Sequence, residues 1–336
     1  MRIATLAVRS GWALPGRLVA AASALALLSV VASAASVHAQ PTYPIFPTDA
    51  GTFGDQLMFF YDTTTDHTTF MTVGNTNVTG IVIETVFYSS ATLQRVAERV
   101  SVIPAGGAEV IDPTTVTGVP GTAGIALVTP IVSEITHTPT VPVRPLVGGF
   151  TIVNVPLGSG TGQNPFGRLA LVAGGGVQPR AAAGATPDGI AVIYQNINPG
   201  QPAPSLTLPV YFNPTTLAPP EQDGNRVFLA SFTDQYAAPV GPSAEARFNI
   251  VPINRSASAT FFNGSTGTAI LTTATPVSGV RFDTLQNLAG GATLDTAGRL
   301  ELNVPAQTTG FDNFFGMASQ SLGTFSVGQR LVPVDF

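Results

Sequence analysis

Side chains able to do chemistry are scarce in this sequence. There is no cysteine, and of three histidines only His67 and His137 lie beyond the first 39 residues. The lack of Cys excludes a thiol nucleophile, a Cys-ligated metal and any disulfide. A Ser-His-Asp hydrolase would need His67 or His137 as its base. The elbow Gly-x-Ser-x-Gly that presents such a serine does not occur, and NGSTG (Asn263–Gly267) has the wrong spacing and is expected in a hairpin. LGSGTG (Leu157–Gly162) has glycines at alternate positions but no helix after it to point at a phosphate. It reads as a flexible turn.

The densest chemistry-bearing stretch is YDTTTDH, with Asp62, Asp66 and His67. Hard oxygen ligands at alternate positions can hold Ca²⁺ in a loop, but the ion takes roughly six to eight oxygens. No further acids cluster nearby, so the expected role of Asp62 and Asp66 is to cap a loop by accepting from backbone N–H groups. His137, in ITHTPT, is expected in an exposed loop. A glycosidase pair needs two carboxylates close in space, and 19 acids permit this without pointing to it. No catalytic, cofactor-binding or metal-ligating residue is assigned on these grounds, and no cofactor is predicted.

The rest of the chain must supply the frame. All 14 basic residues are Arg. Arg2, Arg9 and Arg17 precede or flank an apolar run, no acid occurs before Asp49, and Val37-His38-Ala39 offers small residues to a signal peptidase. The first 39 residues are therefore predicted to be a cleaved secretory signal. Without those three Arg, 11 Arg face 19 acids, a net charge of −8. Such a chain is a poor partner for nucleic acid or anionic membranes. With 44% apolar and 10% charged residues, it has the balance of a folded chain rather than a disordered one.

Gly and Pro are spread as punctuation between short apolar runs, which reads as many strands joined by turns. QLMFFYD (Gln56–Asp62) suits a strand buried on both faces. HTTFMTV and GIVIETVFY, on either side of GNTNVTG, read as a β-hairpin. LQRVAERV fits both periods and is assigned to strand. In RLELNV, Leu300, Leu302 and Val304 alternate with Arg299, Glu301 and Asn303, the signature of one buried and one wet face. ITHTPTVPVRP is too Pro-rich for a central strand. NPTTLAPPEQDGN (Asn213–Asn225) reads as a linker.

Beyond that linker the pattern restarts. NRVFLASFTDQY resembles QLMFFYDTTTDH, with Asp234 at the place of Asp62. ARFNIVPINRSASATFF resembles the stretch ending in TVFY, Phe248 answering Phe70. TAGRLELNVP resembles TAGIALVTP, and Phe315-Gly316 answers Phe166-Gly167. Matches in one order point to an internal duplication. The predicted fold class is all-β: two tandem antiparallel β-sandwiches, immunoglobulin-like, after a cleaved signal peptide. The predicted division is signal 1–39, extended lead-in 40–54, first sandwich 55–212, linker 213–225 and second sandwich 226–336.

The signal peptide, the order FFYD…FMTVGNTN…TVFY and its second copy resemble secreted bacterial proteins built from tandem immunoglobulin-like sandwiches without assigned activity. That resemblance implies a non-catalytic secreted or cell-surface structural or interaction protein. Its protein or cell-surface partner would be met through edge strands or loops, with no stable membrane insertion after cleavage. The alternatives are a secreted hydrolase on a β-fold, or an outer-membrane β-barrel, which the terminal Phe336 and period-2 strands would suit.

Overall fold

The structure, a computed structural model, describes residues 53–131 except 91, 146–172 except 157, 192–196, 205–211, 225–237, 247–303 except 293, 295 and 296, 312–322 and 325–334. Strands dominate, and the only helical pieces described are a 3-10 turn at Pro113–Thr115 and a one-turn helix at Leu285–Leu288. No described helix is long and apolar enough to cross a membrane.

The first half of the chain makes two sheets. Sheet I holds β1 (Phe53–Gly54), β3 (His67–Asn75), β6 (Ala108–Ile111), β8 (Leu146–Asn154) and β9 (Ser159–Gln163), in the order β1-β8-β3-β6 with β9 also paired to β8. Sheet II holds β2 (Gln56–Asp62), β4 (Ile81–Ser89), β5 (Arg95–Ile103), β7 (Ala123–Ile131), β10 (Phe166–Val172) and β11 (Val192–Asn196), in the order β11-β10-β2-β7-β4-β5. The ambiguous run around Arg95–Ile103 is a strand, as assigned from sequence.

The second half forms one nine-stranded assembly, eight strands in line with a ninth on its flank. It comprises β12 (Ser205–Tyr211), β13 (Arg226–Ala237), β14 (Arg247–Pro252), β15 (Asn254–Asn263), β16 (Ala269–Thr284), β17 (Gly298–Asn303), β18 (Asp312–Leu322), β19 (Phe325–Arg330) and β20 (Val332–Val334). Strand β16 divides it. Residues up to Ser278 pair with β15, and from Gly279 onward they pair with β13. Gly279 sits at φ +62°, a left-handed conformation that glycine adopts without steric penalty, and there the strand turns from one sheet into the other. The result is sheet III (β19-β18-β13-β16, with β14 on β13) and sheet IV (β16-β15-β17-β12-β20).

Sheet faces pack I on II, II on III and III on IV, while the edge strand β9 of sheet I also meets sheet III, with Thr161 Oγ1 2.5 Å from Ser319 Oγ. Between I and II, Phe59 meets Phe150 edge to face with ring centroids 5.8 Å apart. Between II and III, Phe60 packs on Phe228 and Phe282, and Phe166 on Phe315. Between III and IV, Leu206, Leu300 and Phe261 join Leu229 and Phe314 in a second core. Sheet II is thus covered on both faces, and all seven residues of β2 are buried. Its unbroken apolar run has this cause, since a strand covered twice needs no polar side. In β17, by contrast, Leu300 and Leu302 are buried while Arg299 and Asn303 are exposed. All described residues fall in one compact unit.

The two halves have the same strand order. Sheet II runs β10-β2-β7-β4-β5 and sheet IV runs β20-β12-β17-β15-β16; sheet I runs β9-β8-β3-β6 and sheet III runs β19-β18-β13-β16. Registers agree as well. Phe87 lies opposite Ala126 and Ser89 opposite Gly124; Phe261 lies opposite Leu300 and Asn263 opposite Gly298. Tyr61 donates its hydroxyl to the Tyr88 carbonyl, and Tyr211 donates to that of Phe262, both at 3.3 Å.

Three expectations change in this light. The HTTFMTV–GIVIETVFY unit is no hairpin, because β3 belongs to sheet I and β4 to sheet II. Asn75 braces that crossing: its side-chain amide donates to the carbonyls of Thr79, Ile103 and Pro104. Turn residues permit a reversal but do not choose whether the returning strand pairs or crosses. Second, Ser205–Tyr211, placed in the first sandwich from sequence, hydrogen-bonds β17 and β20 of the second. The segment read as an interdomain linker therefore falls in sequence between two strands of one sandwich, β12 and β13, and its residues 213–224 lie outside the described ones. Third, the counterpart of β2 is β12 and not the start of β13, so the Asp234–Asp62, Phe248–Phe70 and Phe315–Phe166 equivalences fail. The TVFY–ATFF and TAG matches coincide with the strand order.

Candidate functional site

The residues singled out at YDTTTDH come together at the junction of sheets II and III. Strand β2 ends at Asp62, whose side chain is 1% exposed. The tight turn that follows is written by its own hydroxyls. Thr64 donates its backbone N–H (3.0 Å) and its hydroxyl (2.6 Å) to Asp62 Oδ1, closing an Asx turn. The backbone N–H of Asp62 donates to Thr69 Oγ1, whose hydroxyl donates to the Asp62 carbonyl. The loop-capping role expected of Asp62 is therefore visible in its bonds.

The other carboxylate oxygen has a partner that sequence reading missed. Arg226, the first residue of β13, donates from Nη2 to Asp62 Oδ2 at 2.6 Å. Its guanidinium lies 5.0 Å from the Phe228 ring centroid and 5.8 Å from that of Phe282. This pair ties one sandwich to the other. Nothing in the sequence marks it beyond a single cation opening an apolar run, 164 positions away from its partner.

His67 sits beside the pair, Nδ1 at 3.8 Å from Asp62 Oδ2 and Nε2 at 3.4 Å from the Asn154 amide nitrogen. With that amide donating to Nε2, the ring proton resides on Nδ1, toward the carboxylate. An acyl-transfer triad would place a nucleophile hydroxyl at Nε2, where this histidine meets an amide. The Thr64 hydroxyl points to Asp62 instead. Asp66 is exposed. Among the described residues no three His, Cys, Asp or Glu side chains converge as a metal site would require. The arrangement is an ion pair flanked by a neutral imidazole, and its chemistry is electrostatic bracing.

The acid–base behaviour follows from the contacts. Burial by itself pushes the Asp62 carboxyl up, but the Thr64 bonds and the Arg226 charge outweigh it, so it titrates below the usual carboxylate range. Burial lowers His67, the Arg226 charge lowers it further, and Asp62 and Asp66 oppose both. Tyr61, next in the chain, is pushed up to about 12, mainly by burial. An NMR titration of the His67 ring checks the charge assignment. Arg226→Met is expected to raise its pKa and Asp62→Asn to lower it further. Equal pKa values in all three proteins would show that the ring does not feel this pair.

A buried polar chain runs within sheet II at the same junction and touches sheet III through a ring contact. Arg168 is fully buried, donates from Nη1 to Gln56 Oε1, and places its guanidinium 5.4 Å from the Phe232 ring centroid. Gln56 passes the chain on, its amide donating to Thr129 Oγ1 at 2.7 Å.

His137 lies outside the described residues. NGSTG is the turn of the β15–β16 hairpin, as expected, with Asn263 Oδ1 accepting from the N–H groups of Ser265 and Thr266. LGSGTG is only partly a turn: Gly158 has φ +60°, and Ser159–Gln163 then pairs with β8 as β9. Comparison with models of known families, with curated proteins and with solved structures finds no match to this chain.

Proposed function

We propose that this chain is a non-catalytic structural or interaction protein, exported by its first 39 residues to the cell surface or beyond. One observation carries the reading. The only described cluster of the expected chemical residues, Asp62 with His67, is committed through Arg226 and Thr64 to holding one sandwich against the other. Function resides in sites, and this one serves the frame.

The duplication read from sequence becomes part of the same proposal. It is supported by the shared strand order and by registers that match residue for residue across β4–β7 and β15–β17. The immunoglobulin-like description is supported by the β3–β6 and β4–β7 pairs. Departing from that pattern, β2 pairs with β7 and β8 with β3, so the outer strands have changed places. Open, stacked sheets favour this reading over a closed membrane barrel, whose strands would alternate between lipid and lumen.

Fractionation of cells expressing the full chain tests export and the barrel together. The expected result is a shortened product, beginning near Gln40, that washes into buffer; retention in the detergent phase would overturn it. A hydrolase screen on the purified product tests catalysis. Turnover that disappears in His67→Ala would replace this proposal with the hydrolase reading.

A further inference from the structure

The outer faces of sheets I and IV differ in charge. The outer face of sheet IV carries a charged pair, Arg299 and Glu301, 3.0 Å apart, although Ile270 of β16 is 43% exposed. The outer face of sheet I, among the described strand residues, carries no charge at all. Thr68, Phe70 and Thr72 of β3 alternate with buried Thr69, Met71 and Val73 and so point outward. Thr151 lies opposite Phe70 and Val110 opposite Thr72. Phe70 is 42% exposed and Val110 64%.

The molecule itself shows how such a face is covered. Sheet III is the counterpart of sheet I in strand order. Aligning Met71 with Leu229, each of which faces its own sandwich core, places Phe228 where Phe70 stands and Val280 where Val110 stands. Phe228 and Val280 are buried in the core shared with sheet II. The positions are alike, but Phe70 and Val110 are exposed where Phe228 and Val280 are covered; β9, at the edge of sheet I, meets sheet III through the Thr161 and Ser319 hydroxyls.

We propose that the outer face of sheet I packs against the same face of a second copy of this chain, forming a closed two-fold dimer. Two considerations select that occupant, and the size of the face sets the strength of the contact. Threonine hydroxyls both donate and accept, so a Thr-rich uncharged face complements itself across a two-fold axis. Docking on sheet IV of another copy would build an open filament instead, and it would bury the Arg299–Glu301 pair at a desolvation cost. The contact is of the weak, reversible kind: β3 and β8 have nine residues each, β9 five and β6 four, which gives on the order of 400 Å² per partner, below the size of a standard specific interface.

The inference rests on the interaction reading but has its own test. Sedimentation equilibrium of the exported chain, from the micromolar into the millimolar range where a weak interface of this size associates, is expected to show monomer and dimer only. Phe70→Lys and Val110→Lys should each weaken dimerisation at least about tenfold, the effect of desolvating a like charge at the contact. Thr260→Lys, on the outer face of sheet IV, should leave it unchanged. Both target residues are exposed, so the circular dichroism spectrum is expected to stay that of the parent. Because the chain has no cysteine, Phe70→Cys near the axis should give an oxidised dimer that Thr260→Cys does not. A monomer at every concentration, open-ended growth, or loss of association in Thr260→Lys alone would overturn the dimer. None of these outcomes bears on whether the protein is catalytic, whereas turnover would.

Discussion

Gly124→Ala is expected to cost more than about 4 kcal/mol, the range reached only by a severe and specific defect. A Cβ on Gly124 would stand 1.9 Å from the Tyr88 carbonyl oxygen and 2.9 Å from the Ser90 nitrogen. Both are backbone atoms of the neighbouring strand. Neither can retreat without breaking the 2.7 Å bond from Ser90 N–H to the Ala123 carbonyl. Gly298→Ala should fail in the same way. Its Cβ would stand 1.8 Å from the Phe262 carbonyl, beside the 2.9 Å bond from Gly264 N–H to the Ala297 carbonyl. Stability of a domain is ordinarily about 5–15 kcal/mol, so either variant should lose most of its soluble yield and unfold at far lower urea. Gly149→Ala is the control. Its Cβ would find nothing nearer than the Gln163 carbonyl at 3.8 Å, and a change within about 1 kcal/mol is expected. Gly124→Ala with a urea midpoint close to the parent's would mean the strands do not hold this register.

Arg226→Met should destabilise by about 3 kcal/mol, the lower end for breaking a buried ion pair. The lower end applies because the Arg226 side chain is 19% exposed while that of Asp62 is 1% exposed. The loss comes from the carboxylate left behind, so Arg226→Met combined with Asp62→Asn should recover part of it, which a double-mutant cycle measures. An additive cycle would remove the brace from the account. The pH dependence has a definite sign. Asp62 titrates below the unfolded value of about 3.9, so its stabilisation is complete above that pH and is lost as pH falls through the lower folded value. His67 is also lowered, so the unfolded chain takes up a proton more readily, and stability declines once pH falls below about 6.5. Acid therefore loosens the junction in two stages, and Arg226→Met should diminish both.

Much of the fold was legible because strands advertise themselves locally. The alternation in RLELNV gave the buried face of β17 correctly, and the unbroken run QLMFFYD gave a strand covered on two sides. The crossing at GNTNVTG was not legible. Gly74, Asn75 and Gly80 allow the chain to turn, and the decision between pairing and crossing rests on Asn75 reaching Ile103 and Pro104. The misplaced boundary has a similar origin. Prolines mark a segment that is not a strand, and this is equally true inside a sandwich and between two. The candidate site was half visible. Asp62 and Thr64 are neighbours in sequence, and their turn could be foreseen. Arg226 and Asn154 enter from other sheets, and local chemistry holds no sign of them.

By itself, then, the amino-acid order determined the all-β class, the scarcity of reactive side chains and the alternation of individual strands, because side-chain period and turn chemistry act over a few residues. Tertiary structure alone decided that the two sandwiches share a buried junction, that Asp62 faces Arg226, and that the outward side chains described on sheet I carry no charge. Those features depend on which faces meet after folding, where the burial of aromatic surface on both sides of sheet II outweighs the freedom of two separate domains.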